Sequence, residues 1–265
     1  MSNRIEHKDF RKECLTNVMK SVLSKIGYTL AVIAGPSLSA CGGGLPFPGL
    51  SVEEVYSLGV GALDQENWTE ATKAFEEVLL STGFDRLPEA GLQLAESHFG
   101  GGRFIAARTE FQRVIDRWPT DTTSVHAALG VCRSLAGMSP IPQRDQTFTR
   151  QAQINCGQVA AQFAGTVIGL RASEFSDEML DKLAERDYNT ASHYLKRGLI
   201  DSSLLYYEEV VESFPDSKWA PWALYQMIEA FEMIGYVRDA ETTRELLFGS
   251  YPESEPAQML ENGGK

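Results

Sequence analysis

The sequence is poor in the residues that bind metals or bridge chains. Four histidines, His7, His98, His126 and His193, are scattered singly over 265 positions. The four cysteines, Cys14, Cys41, Cys132 and Cys156, show neither CxxC nor zinc-ligand spacing, so no metal site is expected. Basic residues are in deficit: 24 Lys and Arg stand against 36 Asp and Glu, a net charge of −12. Beyond residue 40 the balance is 18 against 33, a net of −15. Such a surface repels phosphate backbones and argues against a nucleic-acid partner. It also offers no polybasic grip on anionic lipids. No apolar run reaches the roughly 20 residues of a comfortable membrane span. HExxH, Gly-x-Ser-x-Gly and Walker motifs are missing, and no constellation supports an enzyme or a cofactor.

What is present begins with residues 26–40, "IGYTLAVIAGPSLSA", a mostly apolar, uncharged run with basic residues upstream. A basic start, a short apolar middle and a small-residue end describe a bacterial secretory signal, here residues 1–40, with Met19 as an alternative start. Leu38-Ser39-Ala40-Cys41 resembles the lipobox of bacterial lipoproteins, in which the cysteine sulfur takes a diacylglyceryl group before cleavage. The resemblance makes Cys41 the lipid attachment site, with further acylation, such as palmitate, on the new N-terminus. Residues 41–51, "CGGGLPFPGLS", read as the lipidated residue and a Gly/Pro tether. One acyl chain holds only marginally, whereas two or three anchor firmly. Gly42 stands where an Asp would signal inner-membrane retention, which points to the outer membrane.

After residue 51 the apolar residues recur at helical spacing, broken by Gly, Pro and Asp/Asn turns. Ser51 with Glu54 forms a capping box, and Asn67 with Glu70 repeats it. Self-comparison yields a period of about 34 residues on the tetratricopeptide (TPR) scheme. The small position of each first helix is Gly59, Ala95, Gly130 and Ala191, with Ile228 as the exception. That of each second helix is Ala71, Ala107, Ala152, Ser203 and Ala240, followed four residues on by Phe75, Phe111, Cys156, Tyr207 and Arg244. Helices approach to about 8–10 Å only where side chains are small, and the bulky residue fills the gap beside them. Units close with Trp118-Pro119, Phe214-Pro215 and Tyr251-Pro252. The expected fold is all-α, a TPR solenoid of about five helix-turn-helix units over residues 52–252. Its N-terminal units fill 52–119 and its C-terminal units 120–252, the third unit being interrupted by "GMSPIPQRDQ". Residues 253–265 read as a disordered acidic tail.

Within this scheme Cys132 and Cys156 are expected as small buried hydrophobes, able to pair only if the fold brings them together. "FGGGRF" at 99–104 lacks the Lys-Ser/Thr of a phosphate loop and reads as a hairpin turn. Glu208-Glu209 and Asp177-Glu178 read as solvated helix faces. A TPR stack also offers a groove lined by its first helices. The groove-facing positions are Glu53, Tyr56, Val60, Leu63, Glu89, Leu92, Glu96 and Phe99, suited to a partly apolar peptide. The competing reading is that Leu63, Leu92 and Phe99 pack between units.

Residues 144–225 carry a closer likeness. The Arg144-Asp145-Gln146 turn opens a helix, and a long helix then carries Leu183-Ala184, Tyr188, Ala191 and Tyr194. The Arg197-Gly198 corner and Phe214-Pro215-Asp216-Ser217 follow. With the lipobox and five units, this pattern resembles the BamD family, lipoprotein subunits of the outer-membrane β-barrel assembly (BAM) machinery, over roughly residues 41–252. It departs at Cys156 and Ala164, where an aromatic and a Pro are usual, and at Leu199-Ile200-Asp201. The resemblance implies an outer-membrane, periplasm-facing scaffold. Its N-terminal units would read unfolded outer-membrane proteins, and its C-terminal units would dock a BamA-like barrel subunit alongside other BAM lipoproteins. The alternative is another periplasmic TPR adaptor, such as a Tol-Pal-associated cell-division coordinator, which usually carries a coiled coil and a plain signal.

Overall fold

The structure is a computed structural model that describes residues 47–263. The signal segment, Cys14, Met19 and Cys41 lie outside the described residues. Ten helices form five antiparallel pairs. They are α1 (Val52–Asp64) with α2 (Trp68–Leu80), α3 (Leu87–Gly100) with α4 (Phe104–Arg117), and α5 (Thr122–Gly137) with α6 (Thr147–Gln162). Then come α7 (Val167–Lys196) with α8 (Ile200–Ser213), and α9 (Trp219–Met233) with α10 (Val237–Ser250). An eleventh helix, α11 (Glu255–Gly263), ends the described chain. No strand occurs among the described residues. The TPR solenoid is therefore all-α, as the period requires.

Local chemistry sets the helix ends. Ser51 and Glu54 make the full reciprocal box at α1, with Ser51 N–H donating to Glu54 at 2.8 Å and Glu54 N–H donating to Ser51 Oγ at 3.3 Å. Asn67 makes half of one: Glu70 N–H donates to Asn67 Oδ1 at 3.4 Å, while the Glu70 carboxylate accepts from the Asn67 side chain instead of the backbone. Four of the five hairpin turns share one geometry. The N–H of Asn67, Arg103, Leu199 and Tyr236 each reaches the carbonyl five residues back, at 2.8–3.0 Å. The residue before each lies at positive φ: Glu66 at 57°, Gly102 at 70°, Gly198 at 72° and Gly235 at 78°. This is the Schellman arrangement, which favours glycine at that place. The third pair has a longer connection, organised around the buried Gln146. Its Nε2 donates to the carbonyls of Ile141 and Arg144 at 2.8 and 3.0 Å, and its Oε1 accepts from Thr149 at 2.6 Å.

The column of small residues is where the helices cross. Ala71, Ala107, Ala152 and Ser203 are fully buried, as are Phe75, Phe111 and Tyr207. A Cβ on Gly59 would stand 2.8 Å from the Phe75 ring, and one on Gly130 would stand 2.4 Å from the ring of Phe111. Phe75 thus fills a slot in its own pair, and Phe111 fills the slot of the next pair. Each core runs into its neighbour, so no pair buries its apolar face alone.

Three expectations are corrected. Cys132 and Cys156 are buried, but they form a disulfide joining α5 to α6, with Cα atoms 4.9 Å apart. The antiparallel pairing of these helices brings the two positions together, and the bond occupies the slot that an aromatic fills elsewhere. Residues 253–265 are not a structureless tail: α11 covers 255–263, with Ala257 buried in the last core and Leu260 packed beside it. This helix lies on the face of the fifth pair where a further unit would stack. The tether, expected over 41–51, is already docked at its end, since Phe47 packs on the first pair and Gly49 turns the chain at φ 88°.

Candidate functional site

The first helices of pairs one to three carry the positions expected to line a groove. Tyr56 of α1 is buried, not displayed. It packs edge-on to Phe75 at 5.7 Å and lies 5.5 Å from Phe84, and the Arg86 guanidinium covers its ring at 4.3 Å. Arg86 also donates to the Tyr56 hydroxyl at 3.0 Å and forms an ion pair with Glu89. The Tyr56 hydroxyl reaches Glu89 at 3.5 Å. Burial pushes this phenol up, opposed by the Arg86 charge. The Glu89 carboxylate raises Arg86 further, so the guanidinium stays charged.

One unit on, the same three chemistries recur. Arg133 of α5 lies over the Phe99 ring at 4.2 Å and grips Glu96 with two nitrogens, at 3.0 and 3.3 Å. Both side chains of this pair are about three-quarters buried or somewhat less, which keeps the fork ordered. Phe99 in turn meets Phe104 edge-on at 5.4 Å. The wall is thus built of two arginine-over-aromatic modules, each flanked by a carboxylate. Such modules suit polar backbone and side-chain contacts to a peptide. Arg133 escaped the sequence reading. Its signal was a charge opposite to Glu96 placed 37 residues on, close to one repeat.

The remaining expected positions divide. Val60 and Leu63 pack against the first core and Leu92 against the second, all half-buried. Glu53 borders a shallow cleft with Leu50 and Leu58 at the outer end of the first pair, apart from the wall. His98, on α3, is buried, and burial together with the Arg103 charge holds its imidazole below the usual range. It is a core residue behind the wall. Among the described residues no three His, Cys, Asp or Glu side chains come together as metal ligands. "FGGGRF" is the turn between α3 and α4, and Glu208, Glu209, Asp177 and Glu178 lie on polar helix faces.

The model of the YfiO family, described as outer membrane lipoprotein, matches residues 48–246. That span runs from the start of the first pair into the last helix of the fifth. The chain belongs to the YfiO family. A relative in Caulobacter vibrioides, the outer membrane protein assembly factor BamD, is 25% identical over 232 residues, covering 84% of this chain and 75% of its own. The BamD of Rickettsia prowazekii is 22% identical over 204 residues, covering 77% and 81%. The likeness read from residues 144–225 is to this same family. A solved TPR protein from Thermus thermophilus covers 80% of this chain and 98% of its own at 14% identity, with a TM-score of 0.34. That superposition is too loose to bear on function, and the TPR fold is read from the helix pairs themselves. No helix among the described residues is long and apolar enough to cross a membrane. Both relatives carry the description outer membrane protein assembly factor.

Proposed function

We propose that the protein is a lipid-anchored, non-enzymatic scaffold held at the periplasmic side of the outer membrane by acyl chains on Cys41. Its C-terminal pairs dock the periplasmic domains of a BamA-like barrel subunit, beside other BAM lipoproteins. Its N-terminal wall of Arg86, Glu89, Glu96 and Arg133, backed by Tyr56, Phe99 and Leu92, holds segments of unfolded outer-membrane proteins. The single observation that carries this reading is the family match from the first pair into the fifth, together with relatives named as assembly factors that this chain matches over 75% and 81% of their own length.

The test is capture from envelope extracts by the lipidated full-length chain, paired with fractionation of Cys41→Ala. The barrel subunit is expected among the captured proteins, and Cys41→Ala is expected to move to the soluble periplasmic fraction. Failure to retain the folded periplasmic domains of the barrel subunit at tens of micromolar would count against the docking role. A Cys41→Ala protein that still sediments with membranes would rule out the anchor.

A further inference from the structure

The two ends of the stack are finished differently. At the C-terminal end α11 lies over the last pair and buries Ala257. At the other end the outer side of α1 and α2 carries exposed leucines among carboxylates and, among the described residues, is uncovered. Leu80 is 76% exposed, and Leu50 and Leu58 are each 43% exposed. Leu50 joins the other two. It borders a cleft of about 340 Å³ with Val52, Val55, Val78 and Leu80, and a second, shallower one with Leu58. Both clefts are lined wholly by the first pair and the chain segments flanking it. A terminal repeat that faces water normally carries a polar outer face. This one instead presents leucines at the mouth of a cleft, with Glu77 on its rim. The Glu77 Oε2 atom is shut off from water and has no hydrogen-bond partner among the described residues.

The chain itself limits what can cover this face. Cys41 lies six positions before Phe47, the residue packed on the first pair. Six extended residues span at most about 20 Å. Acyl chains on Cys41 therefore bring lipid headgroups within that distance of the residue packed beside the uncovered leucines. We propose that the leucine-bearing end of the first pair rests on the lipid surface that anchors Cys41, with Leu50, Leu58 and Leu80 in the boundary between headgroups and acyl chains. An amine-bearing zwitterionic headgroup, as in phosphatidylethanolamine, suits the acidic rim that Glu77, Glu53 and Glu54 give these clefts. Glu53 and Glu54 line the neighbouring cleft and disfavour an anionic surface. A lipidated solenoid would then stand on its first pair instead of swinging freely, presenting its peptide wall at a fixed height above the membrane. This rests on the anchor reading above.

The test uses the lipidated full-length chain with a single new thiol, Leu80→Cys, labelled with bimane. Glu245→Cys, exposed on α10, serves as the distant control. Both proteins are placed on vesicles of phosphatidylethanolamine and phosphatidylcholine with brominated acyl chains. Bromine is expected to quench the label at position 80 about twofold or more over the label at 245, since interfacial residues sit about 5–10 Å into the boundary. Protein that floats with the vesicles but shows equal, weak quenching at both positions overturns the proposal and leaves the anchor standing. A blue-shifted label at position 80 that bromine does not quench means a peptide or second copy covers the face, which also overturns it. Protein that fails to float overturns the anchor and this proposal together.

Discussion

Pairs two and three meet the same packing problem with different chemistry. At the junction between them, Phe111 of α4 lies over Gly130 of α5, whose missing Cβ leaves room for the ring. Within pair three the equivalent slot holds Cys156, which is bonded to Cys132 of α5 instead of being covered by an aromatic. Pair four returns to an aromatic, Tyr207, whose hydroxyl bonds Ser192 at 3.0 Å and is pushed up to about 12 by burial. Pair five places Arg244 there, partly exposed and held by Glu232 and Glu241, each at 2.8 Å. Geometry fixes the slot, because two helices cross closely at a small residue. The filler is free, provided it occupies the volume or bonds across it. Where the next layer is only α11, even an ion pair suffices.

Removing the fillers one at a time tests whether they are equivalent. The largest loss is expected for Phe111→Ala. Its floor is a glycine, which has no side chain to relax into the void, so the cost should approach the upper part of the range of about 3–5 kcal/mol. In a body of this size that lowers Tm by about 8–15 °C. A drop of only a degree or two would mean the junction is loosely packed and the slot is not a structural constant.

Cys156→Ser should cost somewhat less, about 3 kcal/mol, the expected contribution of a bond closing a loop of this length. Reductant should bring the unsubstituted protein toward the same Tm while leaving the Phe111→Ala loss on top of it. If Tm is insensitive to reductant under conditions where both thiols are shown to be free, packing alone fills that slot. The bridge also fits a chain that folds outside the cytoplasm, where such bonds persist.

The column of small residues was legible because it repeats, and repetition survives drift at single positions. The five pairs, the hairpin turns and the aromatic-proline ends all followed from it. The disulfide was not legible. The period placed Cys156 in the filler slot, but only the antiparallel packing of α5 on α6 brings Cys132 opposite it. Helix α11 was missed for a related reason. Its nine residues hold four apolar ones, Pro256, Ala257, Met259 and Leu260, after a proline and among acidic residues, and these read as a tail without knowledge of what they cover. The wall was half legible. Helical spacing found Tyr56, Glu96 and Phe99, yet it could not tell a displayed ring from a covered one. Arg86 and Arg133, which cover the rings, come from a turn and from the next unit.

The turns give the smallest and cleanest comparison. Gly102, Gly198 and Gly235 occupy the positive-φ position of their hairpins, and the first pair places Glu66 there at 57°. A residue with a Cβ is disfavoured by about 1–2 kcal/mol in this conformation. The Glu66 side chain is exposed, so burial does not offset the cost. Glycine would relieve the strain, but it gives back roughly 0.5–1 kcal/mol through the greater freedom of the unfolded chain. Glu66→Gly is therefore expected to raise stability by about 0.5–1 kcal/mol. Gly102→Ala, the reverse change in the second pair, should lower it by a comparable amount. Chemical denaturation of the two variants decides the point. If Glu66→Gly is neutral or destabilising while Gly102→Ala is costly, the first hairpin does not obey the rule of the others, and its glutamate is held by something other than the turn.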